Sequence, residues 1–266
     1  MAESSEGSVC VVTGATSGIG LAVTRRLIAA RHRVVGVGRH QPMMDELGAR
    51  WPGRFQGLVH DVRHGGLAAA IRASGVPLAA VDLVVHCAGC ARQGSALADM
   101  SESDIREMLE TNVLGTTLVA REMSAVLRDR GGGTLVVLGS VAGYDAAPRM
   151  AVYSASKAYV HQLLRCLRAD LLGSGVKLAC ILPGSTRTAL LDGQPGLRAA
   201  QRYAGFVPLE ADDVAAAVEW VHAQPAHVNV QELSLYPTAQ SLYVRGVHRT
   251  AEGDAARASA ALEQRP

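Results

Sequence analysis

Aromatic side chains are scarce, at 4% of 266 residues, with two Phe and two Trp. A large core must then be built from Ala, Val and Leu, which suits strands covered by helices on both faces. Excess charge is also missing: 26 basic residues face 24 acidic ones, a formal net charge of +2. That balance offers no ground for a nucleic-acid or membrane partner. No apolar run reaches the ~20 residues of a membrane-spanning helix. The first eight residues are polar and acidic, without the basic-then-apolar order of a secretory leader. Cysteines are few and odd in number: Cys10, Cys87, Cys90, Cys166 and Cys180 lie scattered through apolar stretches. They read as small buried residues of a reducing compartment rather than a disulfide framework. These absences together lead us to expect a soluble cytoplasmic protein.

What is present is alternation. Short β-branched runs at 9–13, 33–37, 81–86, 134–138, 177–182 and 232–236 read as strands, with a weaker one at 55–59. Amphipathic stretches at 18–30, 103–130, 153–172 and 212–223 read as helices. This pattern predicts a single α/β domain of the Rossmann type, a doubly wound parallel sheet with helices on both faces. No linker or repeat divides the chain, so one domain is expected over 8–249, with a flexible start at 1–7 and a tail at 250–266.

The first strand runs into Thr13-Gly14-Ala15-Thr16-Ser17-Gly18-Ile19-Gly20 and then directly into a helix. Glycines there permit a tight turn and let the backbone approach a pyrophosphate, seated on the positive end of the helix dipole. A glycine run by itself also marks plain turns; its place between strand and helix is what points to a dinucleotide. The second strand ends at Val37-Gly38-Arg39-His40, without the carboxylate that would bond ribose hydroxyls and repel a 2′-phosphate. Arg39 is a planar cation suited to phosphate. NADP(H) is therefore expected over NAD(H), and no metal.

Tyr153 and Lys157 stand four apart at the start of a helix and share one face. A free tyrosine ionises near pH ~10, and an adjacent ammonium and the helix dipole both draw that value down. Such a pair would give a general acid for carbonyl reduction and a general base for alcohol oxidation. A Tyr packed under a Lys stem would look the same. Ser140, just beyond the strand at 134–138, adds a hydroxyl at the sheet end where parallel sheets bind ligands.

Taken in order, the Thr13–Gly20 loop, Asp61-Val62, Ala88-Gly89, Asn112-Val113-Leu114-Gly115, Ser140, Tyr153 with Lys157 and Pro183-Gly184 resemble the classical short-chain dehydrogenase/reductase family over roughly residues 8–248. The resemblance implies that Ser140 positions a carbonyl, Tyr153 transfers the proton, and Lys157 binds the nicotinamide ribose while tuning Tyr153. It also implies that Asn112 holds a water in the proton relay and that Asp61 and Val62 bracket the adenine. Gly14, Thr16, Ser17, Gly18, Ile19, Gly20, Arg39, Ala88, Gly89, Pro183, Gly184, Thr186 and Thr188 are the further cofactor contacts it implies. His86-Cys87-Ala88-Gly89 stands where the family has Asn-Asn-Ala-Gly, so His86 takes the place of an Asn beside the cofactor. Cys87 to Cys90 is formally a C-x-x-C pair.

Toward the carboxyl end, the runs from Pro225 to Val230, Tyr236 to Gln240 and Val247 to Arg249 are similar to the NADP-dependent 3-hydroxy acid dehydrogenases, including serine and allo-threonine dehydrogenases, and to clavulanate dehydrogenase. That similarity implies a homotetramer or homodimer and a small β-oxo or 3-hydroxy acid substrate. A substrate lid is expected at about 185–207. Arg187, Arg149 and Arg92 are candidates for a carboxylate clamp. The subgroup's glycine-rich stretch after Pro183-Gly184 is absent. A tailoring ketone or aldehyde reductase of a biosynthetic pathway therefore stays open, as does a non-catalytic dinucleotide-binding regulator.

Overall fold

The computed structural model describes residues 8–92, 94–146, 148–191, 203–242 and 246–249. Both expected tails, and much of the expected lid at 185–207, lie outside these residues. The order is β1 (Val9–Thr13), α1 (Gly18–Ala29), β2 (Arg33–Gly38), α2 (Gln41–Arg50), β3 (Phe55–Val59), α3 (Leu67–Ala73), β4 (Val81–His86), α4 (Glu102–Met108), α5 (Thr116–Arg130), β5 (Gly133–Leu138), α6 (Ala151–Asp170), β6 (Val176–Pro183), β7 (Thr186–Arg187), β8 (Leu209–Glu210), α7 (Ala211–His222) and β9 (Glu232–Leu235). Seven strands form a parallel sheet in the order β3-β2-β1-β4-β5-β6-β9, and β7 pairs with β8 apart from it. This is the doubly wound fold expected from the alternation.

Side chains alternate across each strand, so each strand feeds two cores. Val9 and Val11 of β1 pack in one layer with Val119, Met123 and Leu127 of α5 and Val160 and Leu164 of α6. Cys10 and Val12 pack in the other with Val23 and Leu27 of α1 and Val214, Val218 and Val221 of α7. Each fully buried Val or Leu contributes roughly 1.5–3 kcal/mol relative to leaving it exposed. The order reverses between β1 and β4, and this is where an open parallel sheet leaves a crevice beyond its carboxyl ends.

Two differences from the sequence expectation are informative. Helices α2 and α3 carry only two buried apolar residues each, Met44 and Leu47, and Leu67 and Ile71, too few to set up a readable period. The helix expected over 103–130 is interrupted by a π-helical segment, Leu109–Gly115, between α4 and α5. Such bulges turn one side chain out of the helical period. Here the segment carries the buried Asn112. Among the described residues no helix is long and apolar enough to cross a membrane.

Candidate active site

The loop from β1 to α1 closes tightly. Gly14 has φ +68°, and a Cβ there would sit 3.0 Å from the Ala88 backbone nitrogen; one on Gly20 would sit 2.2 Å from the Gly14 carbonyl oxygen. Only hydrogen fits at either place. Helix α1 then starts at Ser17 with no side-chain cap and no acidic residue in its first turn. Its amide groups and positive dipole end therefore face the crevice uncompensated, a fit for a pyrophosphate.

Behind the loop lies His86, fully buried. Its Nδ1 bonds the Thr13 hydroxyl at 2.8 Å and its Nε2 the Thr116 hydroxyl at 3.0 Å. Thr13 in turn accepts the Ala88 amide at 3.1 Å. Burial drives the His86 pKa down to about 3, with Lys157 adding to the fall. The ring is neutral, one nitrogen donating and one accepting. His86 therefore lies behind the crevice wall and does not line it, contrary to the cofactor contact expected for it. It braces the loop that does.

Asn112 is placed similarly. Its amide donates to the Cys90 carbonyl (2.8 Å) and the Ser156 hydroxyl (3.1 Å), and its oxygen accepts the Cys90 amide (2.9 Å). Both donors are used in tying the segment after β4 to α6, and the residue is not part of the crevice lining.

The catalytic candidates converge on α6. Its buried face repeats at three and four: Tyr153, Ser156, Lys157, Val160, His161 and Leu164. Lys157 is buried and donates from Nζ to the Leu138 carbonyl at 2.9 Å, and Nζ stands 5.9 Å from the centre of the Tyr153 ring. Ser140 starts a 3₁₀ turn after β5, and its hydroxyl accepts the Ala142 amide at 3.1 Å. The Ser140 hydroxyl and the Tyr153 phenol both line the crevice, and the hydroxyl acts to lower the phenol's pKa. Gly143 brings this turn onto α6, since a Cβ there would lie 2.8 Å from the Lys157 carbonyl carbon.

Burial raises the Tyr153 pKa, opposed by the Ser140 hydroxyl, and burial lowers that of Lys157. The phenol is thus raised, where the neighbouring ammonium was expected to lower it. The phenol is enclosed by Ala91, Met108, Ala142 and Met150, and the ammonium is committed to a backbone carbonyl.

One crevice of about 760 Å³ joins these parts. Arg39, Asp61 and Val62, after β2 and β3, line one end, and Ser140, Tyr153, Lys157, Pro183, Gly184, Thr186 and Thr188, from β5 onward, line the other; Gly14, Thr16, Ser17, Gly18, Ile19, Gly20, Ala88 and Gly89 join them, with Gly18 beside Thr188. Arg39 is exposed at the first end. Asp61 is held by the Arg63 guanidinium at 2.6 Å, which keeps its pKa down at about 2. No sequence pattern points to Arg63, or to Met150 and Phe206 at the other end. No motif marks these; they meet only through folding.

The three arginines considered for a clamp part company. Arg92 is bound by Asp104 (3.2 Å) and Glu107 (2.7 Å). Arg187 pairs with Glu210 at 2.8 Å and stacks on Tyr203. Neither lines the crevice, which corrects the substrate contact expected of Arg187. Arg149 does line it. The thiols of Cys87 and Cys90 are unbridged, and burial pushes Cys87 up to about 12 and raises Cys90, which argues against redox work.

Comparison with known proteins agrees with this arrangement. The family model described as short chain dehydrogenase matches residues 8–195. The chain is 34% identical over 250 residues to the NADP-dependent 3-hydroxy acid dehydrogenase of Escherichia coli K12, covering 91% of this chain and 99% of that protein. It is 34% identical over 248 residues to sulfoacetaldehyde reductase 2 of Chromohalobacter salexigens, covering 91% and 98%. Among solved structures, the closed form of serine dehydrogenase complexed with NADP+ matches with a TM-score of 0.82 at 33% identity, covering 91% of this chain and all of that one.

Proposed function

The chain belongs to the short-chain dehydrogenase family, and from that premise we propose that it is an NADPH-dependent reductase of a ketone or aldehyde, working in reverse as an alcohol dehydrogenase. The observation that carries this is the meeting of Ser140, Tyr153 and Lys157 in one crevice with the glycine loop. The glycine cradle, the uncompensated start of α1 and the carboxylate-free end of β2 at Arg39 are the residues that would hold the dinucleotide. When bound, NADPH supplies the hydride that adds to the carbonyl carbon.

The remaining steps belong to this chain. The Ser140 hydroxyl, which lines the crevice beside Tyr153, orients the substrate oxygen toward the phenol. Tyr153 donates its proton to that oxygen as negative charge develops there. Burial keeps the phenol protonated, the form needed for reduction. Lys157 places a cation beside the resulting phenolate, and its pull grows once charge appears in this buried setting. Asn112 and His86 hold the walls in register.

For the substrate, relatives named for 3-hydroxy acids, serine and sulfoacetaldehyde favour a small molecule with an acid group near the reacting carbon. A larger ketone of a biosynthetic pathway is the second reading, favoured by the aromatic wall of Tyr203 and Phe206. The five unbridged cysteines favour a reducing compartment, the cytoplasm. Exposed Leu109, Leu114 and Tyr159 lend support to a homodimer or homotetramer.

The test is NADPH oxidation with a panel of 3-oxo acids, semialdehydes and cyclic ketones. Tyr153→Phe should lower kcat about 10²- to 10⁴-fold while NADPH still binds. Full turnover by that variant would remove Tyr153 as the proton donor.

A further inference from the structure

Among the described residues other than glycine, two have a left-handed backbone: Arg31 at φ 67° and Arg149 at φ 61°. Arg31 follows the end of α1, and its amide bonds the Ile28 carbonyl at 2.9 Å. That is an ordinary way to close a helix. Arg149 closes nothing. It lies just before α6, four residues ahead of Tyr153, and its carbonyl accepts the Gly94 amide at 3.3 Å. A left-handed conformation disfavours any side chain and suits glycine, so an arginine here is held at a cost in strain.

Arg149 is also distinguished by its surroundings. The other two arginines that could clamp an acid are bound by carboxylates, whereas Arg149 makes no ion pair among the described residues. It is exposed, and it lines the Tyr153 end of the crevice. Among the described residues lining that crevice, the one carboxylate is Asp61, at the far end and held by Arg63. Lys157 and Arg249 add positive charge at the Tyr153 end. The field there suits an anion, and the strained Arg149 offers a guanidinium to it.

We infer that Arg149 is the specificity residue of this enzyme: its guanidinium receives an oxyanion, carboxylate or sulfonate, carried within a few bonds of the substrate's carbonyl. A guanidinium presents two parallel donors that match either group. Its place so close to Tyr153 in the chain keeps the acid near the reacting carbon. The inference rests on the reductase reading above.

The test compares turnover of short 3-oxo acids with that of their methyl esters, and of 2-oxoalkyl sulfonates, by wild type, Arg149→Gly and Arg149→Lys. In Arg149→Gly the acid-to-ester ratio of kcat/KM should fall roughly 10- to 100-fold, mainly through KM, from loss of a charge-assisted hydrogen-bonded pair. The lysine variant should recover part of it. Glycine relieves the backbone strain, so its melting temperature should not fall. Whether the carboxylate or the sulfonate loses more identifies the anion. An unchanged ratio, an equal loss for acid and ester, or a rise in the KM for NADPH would each overturn the assignment. So would a wild type that reduces esters and neutral ketones but not the acids, which would leave the reductase reading standing. A wild type inactive on every carbonyl compound would remove both.

Discussion

His86 shows how one buried ring can tie a pH dependence to a cofactor loop. Its pKa falls from an ordinary value near ~6.5 to about 3 on folding, because burial disfavours the charged form. Between those values the unfolded chain binds a proton that the folded one does not. Stability is therefore complete above pH ~6.5 and declines as pH falls toward 3. Burial lowers the pKa of His161 and His222 as well, and their effect has the same sign. Chemical denaturation at pH 7 and pH 5 should show the loss in wild type and a shallower one in His86→Asn, which can still bond a hydroxyl. His86→Ala should cost about 2–4 kcal/mol at pH 7, since the hydroxyls of Thr13 and Thr116 lose their shared partner. Arg39 makes a second prediction at this scale. Arg39→Asp should shift the preference from NADPH toward NADH, measured as the ratio of kcat/KM for the two cofactors, by about 10-fold or more.

Helix α6 and the turn that carries Ser140 act as a pair of elements, and Gly143 sets their spacing. An alanine there would meet the Lys157 carbonyl carbon at 2.8 Å and the His161 ring at 2.4 Å, and neither backbone nor buried ring can easily yield. Gly143→Ala should push the Ser140 turn away from Tyr153. We expect kcat to drop at least about tenfold while the KM for NADPH holds, because a small misplacement of reacting groups is costly. Steady-state kinetics with each substrate varied in turn would check it. The long helix before this turn was legible as a helix, but its π segment was not. A shift in hydrogen bonding from i+4 to i+5 leaves the apolar pattern on either side intact, and only the packing of Asn112 against Cys90 and Ser156 reveals it.

At the scale of the whole molecule, the crevice runs beyond the carboxyl ends of the strands and draws on both halves of the fold. A ligand filling it should stabilise the whole domain. With NADPH at 100 times its Kd the gain is about 2.7 kcal/mol, a melting shift of several degrees, and NADH at the same concentration should give a smaller one. Differential scanning fluorimetry reads both. Equal shifts would count against a role for Arg39.

Local chemistry made much of this visible beforehand. Strands β1, β3 and β4 have the bounds expected from their β-branched runs, and the glycine loop falls between β1 and α1, because a turn that admits only glycine has to declare itself in sequence. The spacing of Tyr153 and Lys157 is likewise local, set by one helix. Long-range packing decided the rest. Burial, not the adjacent ammonium, governs Tyr153, since the walls around it come from Ala91, Met108 and Ala142. Which arginine stays available depended on where Asp104, Glu107 and Glu210 came to lie, and an ion pair between separate elements leaves no trace in either segment's pattern.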